Sequence, residues 1–88
     1  MTKKQYIKGY YKQLQKTGTI NTDWDLTNIK IISNYNGNGY QLAIRQKERP
    51  EHIGYNETFK GNYKTLPQAQ ADAIRELISI SRMYKYCK

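Results

Sequence analysis

The segment Asn36-Gly37-Asn38-Gly39, near the middle of the chain, restricts the fold more than any other feature. Two successive Asn-Gly pairs predict a tight hairpin turn, because both residue types tolerate positive φ. Residues with strand-like patterning flank the turn, from about Leu26 to Tyr35 on one side and from Tyr40 to Gln46 on the other. An antiparallel hairpin is therefore predicted at the centre of the fold.

A third strand is predicted from Ile53 to about Lys60, after an exposed loop that contains Pro50. Proline lacks the N–H that a central strand donates to its neighbour, so residues 47–52 cannot continue the second strand. Gly61 is expected to break or bulge the end of the third strand. Residues 19–25 are predicted to be a connection, because they contain residues typical of turns.

Helices are predicted at both ends of the chain, over residues 3–16 and 66–83. The second helix begins with Thr65 as its N-cap and Gln68 as the partner in a capping box. The first helix has an apolar stripe with a 3.6-residue period, formed by Tyr6, Ile7, Tyr10, Tyr11 and Leu14. The sequence thus predicts an α+β fold, a single small domain of order α-β-β-β-α with a three-stranded antiparallel sheet packed by helices.

Four lysines form a row along the first helix, on the side opposite the apolar stripe: Lys4, Lys8, Lys12 and Lys16. Residues 1–22 contain no acid, so this lysine row has no local counter-charge. Two interpretations stay open: an ordinary solvated face, or a basic surface that contacts phosphates or carboxylates. If the row binds, charge reversal of Lys8 and Lys12 is expected to abolish binding without unfolding the chain.

The chain has 88 residues and a net charge of +8, and such an excess of positive charge favours polyanionic partners. The alternative is that the charge serves only solubility. No segment approaches the roughly 18 uninterrupted apolar residues of a membrane span, and no apolar run follows the N-terminal lysines. We therefore expect no membrane insertion and no secretion signal. A single cysteine forms no intrachain disulfide, and a cytoplasmic location is predicted.

No enzyme activity is predicted. One cysteine, Cys87, and one histidine, His52, cannot supply the four nitrogen and sulfur ligands of a zinc site. His52 lies in a charged loop, and the sequence places no partner residue beside it. Asp23 and Asp25 lack the further oxygen ligands that a calcium loop would supply. We therefore expect no catalytic residue, no metal and no cofactor.

The polar side of the predicted sheet is a second candidate surface. Arg45 lies on the polar side of the second strand, and Lys30 and Lys60 share that side if the strands pair as expected. Phe59 is expected on the other side, together with Ile53. Strand side chains that enter the major groove contact base edges of DNA, and arginine pairs with guanine there. The alternative is a solvated antiparallel face without a ligand.

The segment from Tyr63 to Ala69 has the form aromatic-x-Thr-x-x-x-Ala, where a last strand runs into a helix. With this motif, residues Tyr40 to Glu76 resemble the three-stranded sheet and helix of AP2-type and integrase arm-binding DNA domains. The resemblance covers less than half of the chain. It implies duplex DNA bound by the sheet face, with Lys30, Arg45 and Lys47 among the contacts. The N-terminal helix is a departure, because that minimal unit does not require one.

The αβββα order is also similar to that of double-stranded-RNA-binding domains. Those domains place a lysine cluster at the start of the last helix, where this chain has Leu66-Pro67-Gln68-Ala69-Gln70. This departure favours DNA over RNA. In length and in its content of Asn, Ile, Lys and Tyr, the chain resembles accessory proteins of phages and mobile elements, including anti-CRISPR inhibitors.

Two functions are therefore predicted. The first is a non-enzymatic basic module that binds nucleic acid or a nucleoprotein complex through the lysine-rich helix and the polar sheet face. The alternative is an inhibitor or adaptor of the phage or mobile-element type, which binds a nucleic-acid-processing complex by protein–protein contact. A homodimer paired through the edge of the third strand is left open. The candidate contact residues are Lys4, Lys8, Lys12, Lys16, Lys30, Arg45, Lys47 and Lys60.

Overall fold

A computed structural model gives an α+β fold, in which two helices pack against one face of a four-stranded antiparallel sheet. It describes residues 1–22, 27–34, 37–47, 54, 56–81 and 83–88. The elements are α1 (Lys3–Thr17), β1 (Thr19–Thr22), β2 (Thr27–Ser33), β3 (Tyr40–Gln46), β4 (Asn56–Tyr63), α2 (Leu66–Ile80) and a C-terminal 3₁₀ helix (Met83–Tyr86).

Several sequence-based predictions concern residues outside the described ranges. These are the pair Asp23 and Asp25, His52, the loop residues 48–52, the predicted strand residues 26, 35, 53 and 55, Asn36 of the turn, and residue 82 in the last predicted helix.

The central hairpin is confirmed. β2 and β3 pair antiparallel over their whole lengths. Asn34 closes the turn between them, since its N–H donates to the carbonyl of Gly39 at 2.8 Å and its own carbonyl accepts from the N–H of Gly37 at 2.9 Å.

The sheet has four strands rather than the three that the sequence predicts. The segment Thr19–Thr22, expected to be a connection, forms β1 and pairs with β2 at one edge, and the strand order is β1-β2-β3-β4. The end of α1 satisfies backbone groups of this short strand. Gln13 accepts from the N–H of Asn21 at 3.0 Å, and the Thr17 hydroxyl donates to the carbonyl of Thr19 at 3.1 Å.

Both helices begin with a capping box. The Thr2 hydroxyl accepts from the N–H of Gln5 at 3.1 Å, while the side chain of Gln5 accepts from the N–H of Thr2 at 2.9 Å. Thr65 and Gln68 form the equivalent capping box at the start of α2, as predicted. α2 ends at Ile80, earlier than the predicted residue 83, because the next residue leaves the helical conformation with ψ of 127°.

A bulge interrupts the pairing of β3 with β4. Tyr40 pairs with Tyr63, but Leu42 pairs with Lys60, so β4 carries one extra residue between these pairs. Gly61 lies in this interval with φ of 80°, a left-handed conformation that glycine adopts without strain at Cβ. The irregularity expected at Gly61 is confirmed.

The core lies between the helices and one face of the sheet. α2 contributes alanines at two buried positions, which allow the helix to approach the strands closely. The buried cluster consists of Tyr6, Leu14, Ile20, Ile29, Leu42, Ile44, Ala69, Ala73 and Leu77. In the part of the chain that the structure describes, no helix is long and apolar enough to cross a membrane.

Candidate nucleic-acid interface

The strand register divides the sheet side chains into two faces. Ile20, Ile29 and Ile44 lie opposite one another in β1, β2 and β3 and face the helices. The residues next to them in each strand point to the other face, because side chains alternate along a strand. Among the described elements no helix packs on this second face, which we call the outer face. Its residues are Thr19, Asn21, Asn28, Lys30, Ile32, Gln41, Ala43, Arg45, Glu57 and Phe59.

Phe59 is the largest apolar group of the outer face. It lies opposite Ala43, which lies opposite Lys30, so the three residues form a row across three strands. Phe59 is 59% exposed, whereas Ala43, in the middle of the row, is only 5% exposed. Adjacent strands are about 4.8 Å apart, which places the Cα atoms of Lys30 and Phe59 about 10 Å apart. The expectation that Phe59 faces the core is therefore wrong.

Arg45 is a second cation on the outer face. It lies in β3, two residues after the Ala43 that pairs with Phe59, and its Cα is within about 10 Å of that of Phe59. The Nε atom of Arg45 is 3.5 Å from Oε1 of Glu57 in the neighbouring strand. The side chains of Arg45 and Glu57 are 51% and 39% exposed, and a surface ion pair of this kind contributes at most about 1 kcal/mol. Asn28 adds an amide to this face, with its side chain donating to Asn21.

Lys60 is not part of the outer face. Its pairing with Leu42 places it on the helix side, where its ammonium forms an ion pair with Glu76 of α2. The hydrogen bond to Glu76 and the charge of that carboxylate raise the pKa of Lys60. The predicted grouping of Lys60 with Lys30 and Arg45 is corrected accordingly. Lys47, the first residue after β3, is half-buried and lies at the end of the strand.

Tyr63 makes a second contact between β4 and α2. Its hydroxyl donates to Oδ2 of Asp72. Partial burial raises the pKa of Tyr63 to about 12, and the hydrogen bond to Asp72 adds to this effect. Together with the ion pair between Lys60 and Glu76, this contact fixes which side of β4 faces the helix, and Phe59 consequently faces outward.

The lysine row lies on a different surface. Its four members are exposed on the side of α1 opposite the buried Tyr6 and Leu14. No carboxylate in the described ranges forms an ion pair with any of them. With a helical rise of 1.5 Å per residue, the row is about 18 Å long. Because the core lies between α1 and the sheet, the lysine row and the outer face point in different directions.

Comparison with protein-family models, with curated proteins and with solved structures finds no match. The interpretation of the outer face therefore depends on its own geometry, and the resemblance to AP2-type and integrase arm-binding domains stays a prediction. Among the described residues, no group of three or more His, Cys, Asp or Glu side chains is placed to hold a metal ion.

Two groups of this surface, Lys30 and Arg45, are predicted from the sequence, whereas Phe59 and Asn21 are not. Lys30 and Arg45 follow directly from the alternation in the central hairpin, which a strong local turn signal sets in register. Phe59 was missed because the apolar alternation of the sequence groups it with Ile53 on the core side, whereas pairing with Ala43 places it on the outer face. Asn21 was missed because β1 was not predicted.

Proposed function

We propose that this chain is a non-enzymatic nucleic-acid-binding module and that the outer face of the sheet is its contact surface. The observation that carries the proposal is the exposed ring of Phe59 in a four-stranded antiparallel sheet, with two cations within about 10 Å. Full burial of a phenylalanine side chain contributes about 1.5–3 kcal/mol, and a ligand that covers the ring would recover the part of this that the exposed 59% of Phe59 leaves unrealised.

The proposed ligand is a single strand. Unpaired bases stack on exposed aromatic side chains of sheet surfaces, and each such contact contributes about 1–3 kcal/mol. Lys30 and Arg45 would then contact the phosphates on either side of the stacked base. Insertion of the sheet into a duplex groove has less support, because Lys60 faces α2 instead of extending the basic face. The preference for DNA over RNA rests on the sequence pattern alone.

The lysine row has a different part in this proposal. The lysine row and Phe59 lie on different surfaces, so they cannot contact the same bound base. The row does contribute to the net charge of +8. A positive field of this kind raises the rate of encounter with a polyanion without a direct contact.

Labelled oligonucleotides test the proposal by fluorescence anisotropy at low salt, with single-stranded DNA, single-stranded RNA and duplex DNA in parallel. Phe59→Ala is expected to weaken single-strand binding about tenfold, which corresponds to the loss of one stacked base. The matched control is Tyr86→Ala, which removes an aromatic ring that is 81% exposed on the C-terminal 3₁₀ helix. Absence of binding to every probe, or equal losses in the two variants, would contradict the proposal.

A protein partner is the second candidate function. Met1, Met83 and Tyr86 are exposed and line one groove beside α1. Clustered apolar side chains on a surface mark sites of protein–protein contact. We propose in this case an inhibitor or adaptor that binds a nucleic-acid-processing complex. A complex that is recovered from nuclease-treated bacterial lysate and lost with Tyr86→Ala would support this function. A complex that dissociates on nuclease treatment would contradict this function.

A further inference from the structure

A groove of about 540 Å³ lies between α1 and the C-terminal 3₁₀ helix. One of its walls is apolar and accessible: Met83 is 45% exposed, and Met1 and Tyr86 are each 81% exposed. Methionine is flexible and polarisable, so such a wall adapts to the shape of an apolar ligand.

The opposite wall is formed by α1, to which Tyr6 and Tyr10 contribute together with a row of less bulky residues. Gln5, Gly9 and Gln13 line the groove at intervals of four residues. Residues at this spacing lie above one another on the helix surface, and the row is about 12 Å long, or roughly two helical turns.

Gly9 is the unusual member of this row. Glycine in the middle of a helix costs about 1 kcal/mol relative to alanine. A Cβ atom at this position would meet no atom within 4 Å, so packing inside the chain does not require glycine there. The missing side chain leaves the backbone of α1 open to close approach by another molecule from the groove side.

The lysine row borders the groove along its whole length. Lys8, Lys12 and Lys16 each follow a groove-lining residue of α1 by three positions, the spacing of neighbours on a helix surface. On the other wall, Lys85 and Lys88 are exposed beside Tyr86. Residues 1–22 and 83–88 contain no acid. Both rims of this apolar groove are therefore positively charged.

We propose that the groove binds an acidic amphipathic helix of another protein, which crosses α1 at Gly9. Apolar residues of that helix at i, i+4 and i+7 span about 10.5 Å, which matches the two-turn length of the groove, and they contact Met83 and Tyr86. Its acidic flanks face the lysine row on one side and Lys85 on the other. The proposal deepens the second candidate function by naming the partner chemistry and the site, and it does not depend on nucleic-acid binding by the outer face.

Charge complementarity selects this occupant over the alternatives. A second copy of the chain would bring a net charge of +8 to a rim that is already basic. A nucleic acid would satisfy the lysines, but its phosphates would find no donor in the side chains of Met1 and Met83. An acidic helix with an apolar face satisfies both the rims and the wall.

The test uses a labelled synthetic peptide with leucine at i, i+4 and i+7 and glutamate on the remaining helical face. A peptide of the same composition in scrambled order is the control. Gly9→Leu fills the groove from the α1 side and is expected to weaken binding at least about tenfold. The same change is expected to raise the melting temperature, because leucine favours a helix more than glycine does. Gln15→Leu adds the same side chain to an exposed position of α1 away from the groove and is expected to leave binding unchanged.

Several outcomes would overturn the proposal. They are equal binding of the scrambled peptide, no binding of either peptide, and wild-type affinity in Gly9→Leu. Self-association that Gly9→Leu abolishes would assign the groove to a second copy instead. A single-stranded oligonucleotide that displaces the peptide and also loses affinity with Gly9→Leu would assign it to nucleic acid. Phe59→Ala distinguishes the two surfaces, because peptide binding is expected to survive this change even where oligonucleotide binding is lost. Loss of peptide binding in Phe59→Ala would also count against the groove as the binding site.

Discussion

Thr22 has a buried hydroxyl that forms no hydrogen bond with any residue that the structure describes. The residue is 2% exposed and lies at the end of β1 opposite Thr27. An unpaired buried hydroxyl costs about 1–3 kcal/mol, whereas valine has a similar shape and no polar atom. We expect Thr22→Val to raise the free energy of unfolding by about 1 kcal/mol, measured by urea denaturation. Thr58→Val at an exposed position is the control, with an expected change within about 0.5 kcal/mol. A less stable Thr22→Val would show that the hydroxyl is needed.

The orientation of Phe59 shows why part of the candidate site could not be predicted from the sequence. Tyr63 faces α2, and in an unbroken strand Phe59, four residues earlier, would share its side. The extra residue at Gly61 reverses this parity, so Phe59 points outward and Lys60 points toward Glu76. The sequence pattern groups Phe59 with Ile53, which also precedes Gly61, and no local signal shows that Phe59 faces away from the helices.

At the scale of elements, β4 is attached to α2 through a hydroxyl whose protonation can be followed. The pKa of Tyr63 is raised from 10.0 to about 12 in the folded chain, so the folded state holds this proton more tightly than the unfolded state. The resulting stabilisation is complete below pH 10 and is lost as the pH rises toward 12. Tyr63→Phe has no such proton to lose. We therefore expect the stability advantage of the wild type over Tyr63→Phe to shrink through this window, as measured by chemical denaturation at successive pH values.

Tyr86→Phe is the appropriate control for this titration, because Tyr86 is largely exposed. Its stability curve is expected to run parallel to that of the wild type. Parallel curves for Tyr63→Phe as well would mean that the hydrogen bond to Asp72 does not hold β4 in solution.

The elements that the sequence predicts well are those with a local signal. The capping box of Thr65 and Gln68 defines the start of α2, and the Asn-Gly pairs define the central hairpin, whatever the rest of the chain does. β1 has no such signal, because the segment Thr19–Thr22 contains one apolar residue, Ile20. Its conformation depends on pairing with β2 and on Gln13 of α1, both of which are tertiary contacts.

At the scale of the whole molecule, six of the fifteen Lys and Arg residues lie on two separate surfaces. The core separates the lysine row on α1 from Lys30 and Arg45 on the outer face. The net charge does not distinguish them, since a contact surface on either side would give the same value. The two proposals assign these surfaces to different ligands: a single-stranded nucleic acid on the sheet, and an acidic helix beside α1.

Two charge-matched double variants distinguish the surfaces. Lys30→Glu with Arg45→Glu, and Lys8→Glu with Lys12→Glu, each replace two cations by two anions and lower the net charge from +8 to +4. Long-range attraction for an oligonucleotide therefore falls equally in both. In the proposed complex only the outer-face variant removes cations that contact phosphates. We therefore expect it to bind more weakly and to show a shallower dependence of log affinity on log salt, by about 0.7 for each phosphate of the single strand that it no longer neutralises. Anisotropy titrations over a salt series measure both quantities, and circular dichroism checks the fold.

The lysine-row variant is expected to have the reverse phenotype, with a retained salt slope for the oligonucleotide and reduced affinity for the acidic peptide. This expectation differs from that of the sequence alone, in which reversal of Lys8 and Lys12 abolishes nucleic-acid binding. If the lysine-row variant loses the oligonucleotide and the outer-face variant keeps it, the phosphates lie along α1, and the exposed ring of Phe59 has no part in binding. Because the two variants carry the same net charge, such a result could not be attributed to bulk electrostatics.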